Sequence, residues 1–140
     1  MPRLSKSVRR QVRERAAICC EYCGKPEGFS PIEHQVDHII AVQHGGNNTL
    51  DNLAFACFRC NNKKGSNIAS LDYEADQLVP LFNPRTQVWS DHFFEQNGQI
   101  LGKTATGRAT VLVLGFNDPK EIELRNLLIQ TNQWHYSRSE

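Results

Sequence analysis

The 140-residue chain has no apolar run long enough to cross a membrane, no secretory leader with an apolar core, no internal repeat and no low-complexity tract. These absences argue against a membrane-spanning, exported or repeat-built protein, and a single cytoplasmic domain is the expectation. It also lacks net charge. Its 16 Lys and Arg against 15 Asp and Glu leave a formal charge of +1, so composition alone does not point to an anionic partner. The distribution says more. Residues 1–15 carry Arg3, Lys6, Arg9, Arg10, Arg13 and Arg15 against Glu14 alone, while the remainder holds ten basic and fourteen acidic residues. A basic arm on a mildly acidic body suits contact with a phosphate backbone, and equally suits a solvated helix face.

The basic residues sit on a periodic segment. Leu4, Val8, Val12 and Ala16 recur every fourth position, which is the apolar stripe of an amphipathic helix with Arg9, Arg10 and Arg13 turned largely away. Ser5 or Ser7 is its candidate cap. Gly24, Pro26 and Gly28 then mark a knuckle and a loop. Gln35 to Val42 reads as a strand, Gly45-Gly46-Asn47-Asn48 as a loop, Asn52 to Ala56 as a second strand, and Cys57 to about Ser70 as a knuckle running into a helix. Residues 71–85 read as irregular. Asn97-Gly98, flanked by HFFEQ and QILGK, is a two-residue hairpin turn. Residues 106–116 fit either a strand, by their valines, or a short helix, by their spacing. Asp118-Pro119-Lys120-Glu121 is a helix start with a cap, a first-turn proline and a capping-box glutamate. That helix runs to about Gln130, with Ile122, Leu124, Leu127, Leu128 and Ile129 as its apolar side.

Five cysteines in a chain of this kind do not suggest a disulfide framework. Cys20-x-x-Cys23 and Cys57-x-x-Cys60 each have knuckle spacing, and two knuckles supply the four corners of a closed, structural zinc site. The 33 residues between them, 24–56, contain the strand–loop–strand segment, so the metal would staple its base. Only Cys20 has the required two residues between it and Cys23, which leaves Cys19 as a buried thiol.

Within the stapled segment His38 is a candidate general base, because imidazole titrates near neutral pH. Asp37 is its neighbour, and a regular strand sends the two side chains to opposite faces. A twist, or a cation at the strand edge, would have to bring both to one phosphate. Asn52 doubles as a turn residue and Asn61 as a helix cap. His34, His44 and Arg59 are candidate phosphate contacts that equally fit solvated side chains.

Asp37-His38-Ile39-Ile40, Gly45-Gly46, Asn52-Leu53 and Cys57-x-x-Cys60-Asn61-x-x-Lys64-Gly65 together resemble the motif of the HNH endonuclease family, over roughly residues 20–67. The resemblance implies a ββα-metal fold. It implies His38 as general base, Asp37 and Asn61 as ligands of a catalytic Mg²⁺ or Mn²⁺ ion, Asn52 as the residue that holds the inter-strand loop, and Lys64 near the phosphate. Two departures stand out. Asn61 occupies a position where many members carry His, and Ala41 stands where a proline often follows the Asp-His-Ile-Ile segment.

The expected architecture is therefore α+β in one domain: a basic helix (1–19), a zinc-stapled ββα-metal core (20–70) and a C-terminal extension with a hairpin and a helix (71–140). In that extension Trp89, Phe93, Phe94 and Trp134 are core candidates. Asn83-Pro84-Arg85 is a candidate brace for the zinc module, His92 a structural residue, and Arg85 and Arg108 candidate phosphate contacts. The expected function is metal-dependent hydrolysis of phosphodiester bonds in double-stranded DNA. The competing expectation is a zinc ribbon that grips nucleic acid without cutting it. Oligomeric state stays open.

Overall fold

The computed structural model describes residues 4–136; Arg3 of the basic arm lies outside them. Helix α1 spans Lys6–Arg15, and the Ser5 side chain caps it by accepting from the Val8 amide. Its stripe is buried as the periodicity requires: Val12 is fully buried and Ala16 nearly so, with Leu4 and Val8 packed beside them.

The centre is an antiparallel hairpin of β1 (Gln35–His38) and β2 (Leu53–Ala56), in register from Gln35 opposite Ala56 to His38 opposite Leu53. β2 is buried along its whole length, because both faces of the hairpin are covered. On one face Leu53, Phe55 and Val36 meet α1. On the other, Ala54 and Ala56 join the main core with the four knuckle cysteines. Helix α2, Phe58–Lys64, follows β2 directly. β1 is shorter than the run to Val42 suggests, because Val42–His44 turns into a short 3-10 segment. α2 is likewise shorter than a helix to Ser70, since Gly65 ends it and the chain enters a strand at Ala69.

The extension is more regular than expected. Residues 71–85, read as irregular, contain most of a hairpin of β3 (Ala69–Asp72) and β4 (Gln77–Pro80). A one-turn helix α3 (Trp89–His92) leads into the hairpin β5 (Phe93–Gln96) and β6 (Gln99–Gly102). Its turn residues Asn97 and Gly98 have φ of +53° and +82°, as a type I′ turn needs. Residues 106–116 are mainly helical: α4 spans Ala105–Val113 with Thr104 as its cap. Helix α5, Pro119–Gln130, starts at Asp118, whose side chain accepts from the Lys120 amide. The Glu121 carboxylate does not close a capping box; it pairs with Lys25 at 2.9 Å. The buried face of α5 carries Arg125 and Leu128, while Leu127 is exposed. Arg125 is sheltered because its guanidinium donates to the carbonyls of Gly98 and Phe116, at 2.6 and 2.9 Å.

The extension closes on the first cysteine knuckle. Phe93 and Trp134 are buried and Trp89 packs against them; Phe94 is half-buried. Trp89 Nε1 donates to the Tyr22 carbonyl at 2.8 Å, and the Tyr136 hydroxyl to the Cys20 carbonyl at 2.9 Å. Arg85 pairs with Glu21, between the two knuckle cysteines, and so braces this module. Arg108 is also occupied, in an ion pair with Asp72 at 2.8 Å. Neither arginine is free for a phosphate in this arrangement. His92 meets the Thr104 hydroxyl at 2.7 Å. No helix among the described residues is long and apolar enough to cross a membrane.

Candidate active site

The cysteine cluster forms first in the chain's logic, because it ties the segment before β1 to the segment after β2. The sulfurs of Cys20, Cys23, Cys57 and Cys60 all lie within 4.8 Å of one another, and all four residues are buried. Backbone amides point at them: Tyr22 and Cys23 donate to Cys20 Sγ, and Cys60 to Cys57 Sγ, each at 3.4 Å. Burial pushes the Cys20 thiol well above its usual range. A dry pocket with four sulfurs so close favours a shared cation, and the set is placed to hold one metal ion as a structural zinc site does. Cys19 stays outside the cluster, half-buried in a bridge to Pro26.

β1 ends at His38, and its alternation separates the two residues there. Asp37 points to the α2 side and is only 5% exposed. The Tyr22 hydroxyl donates to it at 2.8 Å, and Lys64 Nζ lies 3.1 Å from the same oxygen. Burial raises the Asp37 carboxyl above the ordinary range, against the pull of the Lys64 ammonium. Burial, reinforced by the charge of Asp37, holds the Tyr22 phenol well above its usual range, so it remains a neutral donor. Lys64, expected beside a phosphate, is instead interior. It is 2% exposed and also donates to the His38 carbonyl at 3.1 Å. The last turn of α2 carries it under the hairpin, where Asp37 and that carbonyl satisfy its charge.

His38 faces the other way, half-buried, with Nε2 at 2.7 Å from Asn48 Oδ1. Asn48 rides on the loop between the strands, and Asn52 holds that loop. Asn52 Oδ1 accepts from the Ile40 amide at 2.9 Å, while Nδ2 donates to the carbonyls of Ile40 and Asn47 at 3.0 and 2.9 Å. Asn61 sits on the α2 side and donates to the Gln35 side chain. The arrangement therefore joins Asp37 to Lys64 and Tyr22, and His38 to Asn48, without bringing Asp37 and His38 to one face. Asn48 and Tyr22 were missed in the sequence. Asn48 lies in a loop whose neighbouring Asn47 is equally polar, and only the folded loop tells them apart.

Of three further candidates, His34 lies on the wall of the groove that His38 also lines, buried against Phe55 with Nε2 at 2.8 Å from the Lys25 carbonyl. His44 is exposed on the 3-10 segment. Arg59 turns to the extension, donating to the Gly115 carbonyl at 3.2 Å and approaching Asp118 at 3.5 Å.

The loop also explains Gly46. A Cβ there would stand 1.7 Å from the Ile40 carbonyl oxygen and 2.9 Å from Asn52 Nδ2. Gly46→Ala must therefore push the loop off its clamp. The expected cost is about 1–3 kcal/mol by denaturant unfolding. Unchanged stability would show that the clamp does not matter.

Residues 20–67 match the family model described as HNH endonuclease. That match covers 48 of the 140 residues, about a third of the chain. Over 59 residues, 41% of this chain, the sequence is 42% identical to the CRISPR-associated endonuclease Cas9 of Corynebacterium diphtheriae, and the match covers 5% of that protein. The chain thus corresponds to a small part of this relative. No solved structure matches the chain. The HNH segment begins at the first knuckle and ends just past α2, so α1 and almost all of the extension lie outside it.

Proposed function

We propose that the protein is a metal-dependent endonuclease that hydrolyses phosphodiester bonds in double-stranded DNA, with His38 as general base. One observation carries this reading. The HNH segment presents His38 at the end of β1, half-buried on a basic groove, with its ring held by Asn48. With Asn48 Oδ1 accepting from Nε2–H, the Nδ1 lone pair is left to take a proton from the attacking water. Asn52 fixes the loop that carries Asn48, and so acts on His38 at one remove.

Asp37 and Asn61 are the residues that would hold a catalytic Mg²⁺ or Mn²⁺ ion. Both offer hard oxygens, as such an ion prefers, and Asn61 spends its nitrogen on Gln35, leaving its oxygen; the ion would take the place of the Lys64 ammonium at the Asp37 carboxylate. Such an ion supplies positive charge where negative charge develops on the phosphate and the leaving oxygen.

Zinc-loaded protein is expected to convert supercoiled plasmid to nicked or linear DNA with Mg²⁺ or Mn²⁺, and to stop when EDTA removes the catalytic ion while zinc content stays constant. The second reading is a non-catalytic module that binds nucleic acid. The observation on its side is the Lys64–Asp37 ion pair, which already satisfies the carboxylate. Binding of plasmid without conversion under any divalent cation would favour it.

A further inference from the structure

A groove of about 1200 Å³ runs between α1 and β1, outside the HNH segment on one wall and within it on the other. We propose that it is the track for the backbone of one strand of a DNA duplex, with α1 as its phosphate-binding wall and His38 on its floor. The inference rests on the nuclease reading above and adds where the substrate lies.

Lys6, Arg9, Arg10 and Arg13 all line this groove. They stand at i, i+3, i+4 and i+7, and so share one face of the helix. That face is not free to rotate. The apolar stripe of Leu4, Val8, Val12 and Ala16 is packed onto Leu53 and Phe55, which fixes the direction in which the basic stripe points. Seven residues of helix rise about 10 Å, and phosphates on one duplex strand advance about 3.4 Å each along the axis. The stripe therefore spans about three phosphate steps.

The charge balance favours an anion. Arg13 is paired with Glu27 at 2.8 Å, whereas Lys6, Arg9 and Arg10 form no ion pair among the described residues. Glu33 is the other acidic residue on the groove wall. The concavity reaches His38, which suits a strand to be cut better than a flat anionic surface.

The test is binding of the full, zinc-loaded chain to a 20-base-pair duplex and to one of its strands, without divalent cations, across 50–200 mM salt. Arg9 and Arg10 are exposed, and glutamine keeps helix propensity there. The Arg9→Gln, Arg10→Gln double variant is expected to bind the duplex at least tenfold more weakly. Its log K against log salt should be shallower by roughly 0.9 per lost phosphate contact. Lys120→Gln, at the start of α5, should keep the wild-type slope. Wild-type affinity and slope in the double variant would overturn the groove, as would an equal loss in Lys120→Gln or no duplex binding by the wild type. A loss confined to the single strand would overturn the duplex assignment. The two readings separate cleanly. Arginine-dependent binding by a wild type that never nicks plasmid keeps the groove and sinks the nuclease. Nicking by a double variant whose binding is unchanged does the reverse.

Discussion

Cys57→Ser is expected to abolish zinc binding and, with it, the folded state. Cys57 belongs to two structures at once. It is one of four sulfurs clustered within 4.8 Å, and it caps α2 by accepting from the Cys60 amide. The cluster is not an appendage. Its members are 0–4% exposed and share one core with Leu81, Phe82, Phe93, Ile100, Leu114, Phe116, Leu128 and Trp134. Zinc contributes about 10–16 kcal/mol to the folding of small knuckle domains. A domain of this size is stable by only about 5–15 kcal/mol, so loss of the ion removes an amount comparable to the whole. Serine leaves three thiols and a hydroxyl in a dry pocket, with no shared charge to hold them. Metal analysis should fall from about one zinc per chain to none, together with loss of the near-ultraviolet dichroism of Trp89 and Trp134. Cys19→Ser is the control: Cys19 lies outside the cluster, so that variant should keep both. A Cys57→Ser protein that unfolds at the wild-type denaturant midpoint would refute a structural metal.

The same contrast shows what could be read from the chain and what could not. Local signals were legible. The four-residue apolar spacing located α1, whose cap is Ser5 of the two candidate serines, Asn97-Gly98 located the turn between β5 and β6, and Asp118-Pro119 located the start of α5. The paired Cys-x-x-Cys spacing located the cluster, because knuckle geometry is local even when its two halves are far apart. The β3–β4 hairpin was illegible for a physical reason. Its turn uses Asp76 at φ +54° where a glycine would have announced it, and the Asp72 side chain accepts from the Ala75 amide. Its strands are poorly covered as well, with Leu78 74% exposed, so no buried alternation marks them. The ambiguous valines of α4 were decided by tertiary context. Thr104 caps the helix, and Gly107 lets it approach so closely that a Cβ would stand 2.1 Å from the His92 carbonyl oxygen. Lys64 was misplaced for a third reason. A lysine is expected at the surface, and the carboxylate that draws it inward lies 27 residues away on β1.

His38→Ala is expected to lower plasmid cleavage by roughly a hundred- to ten-thousand-fold, the usual contribution of a positioned general base, or about 3–5 kcal/mol of barrier. The fold should hardly notice. The imidazole is half-buried and makes one side-chain hydrogen bond, to Asn48, so its removal should cost about 1 kcal/mol or less. Zinc content should stay at the wild-type level, because the cysteine cluster lies on the opposite side of the hairpin. This combination separates a chemical role from a structural one. A core histidine would lose stability and activity together, whereas a base loses only activity. Asn48→Ala supplies the companion measurement. It leaves the imidazole in place and removes the acceptor that orients Nε2–H, so cleavage should fall by less than in His38→Ala. Adding it to His38→Ala should cost little more, because its effect passes through the ring that is already gone. Full cleavage by zinc-loaded His38→Ala would assign the base elsewhere, and additive losses in the double variant would detach Asn48 from His38.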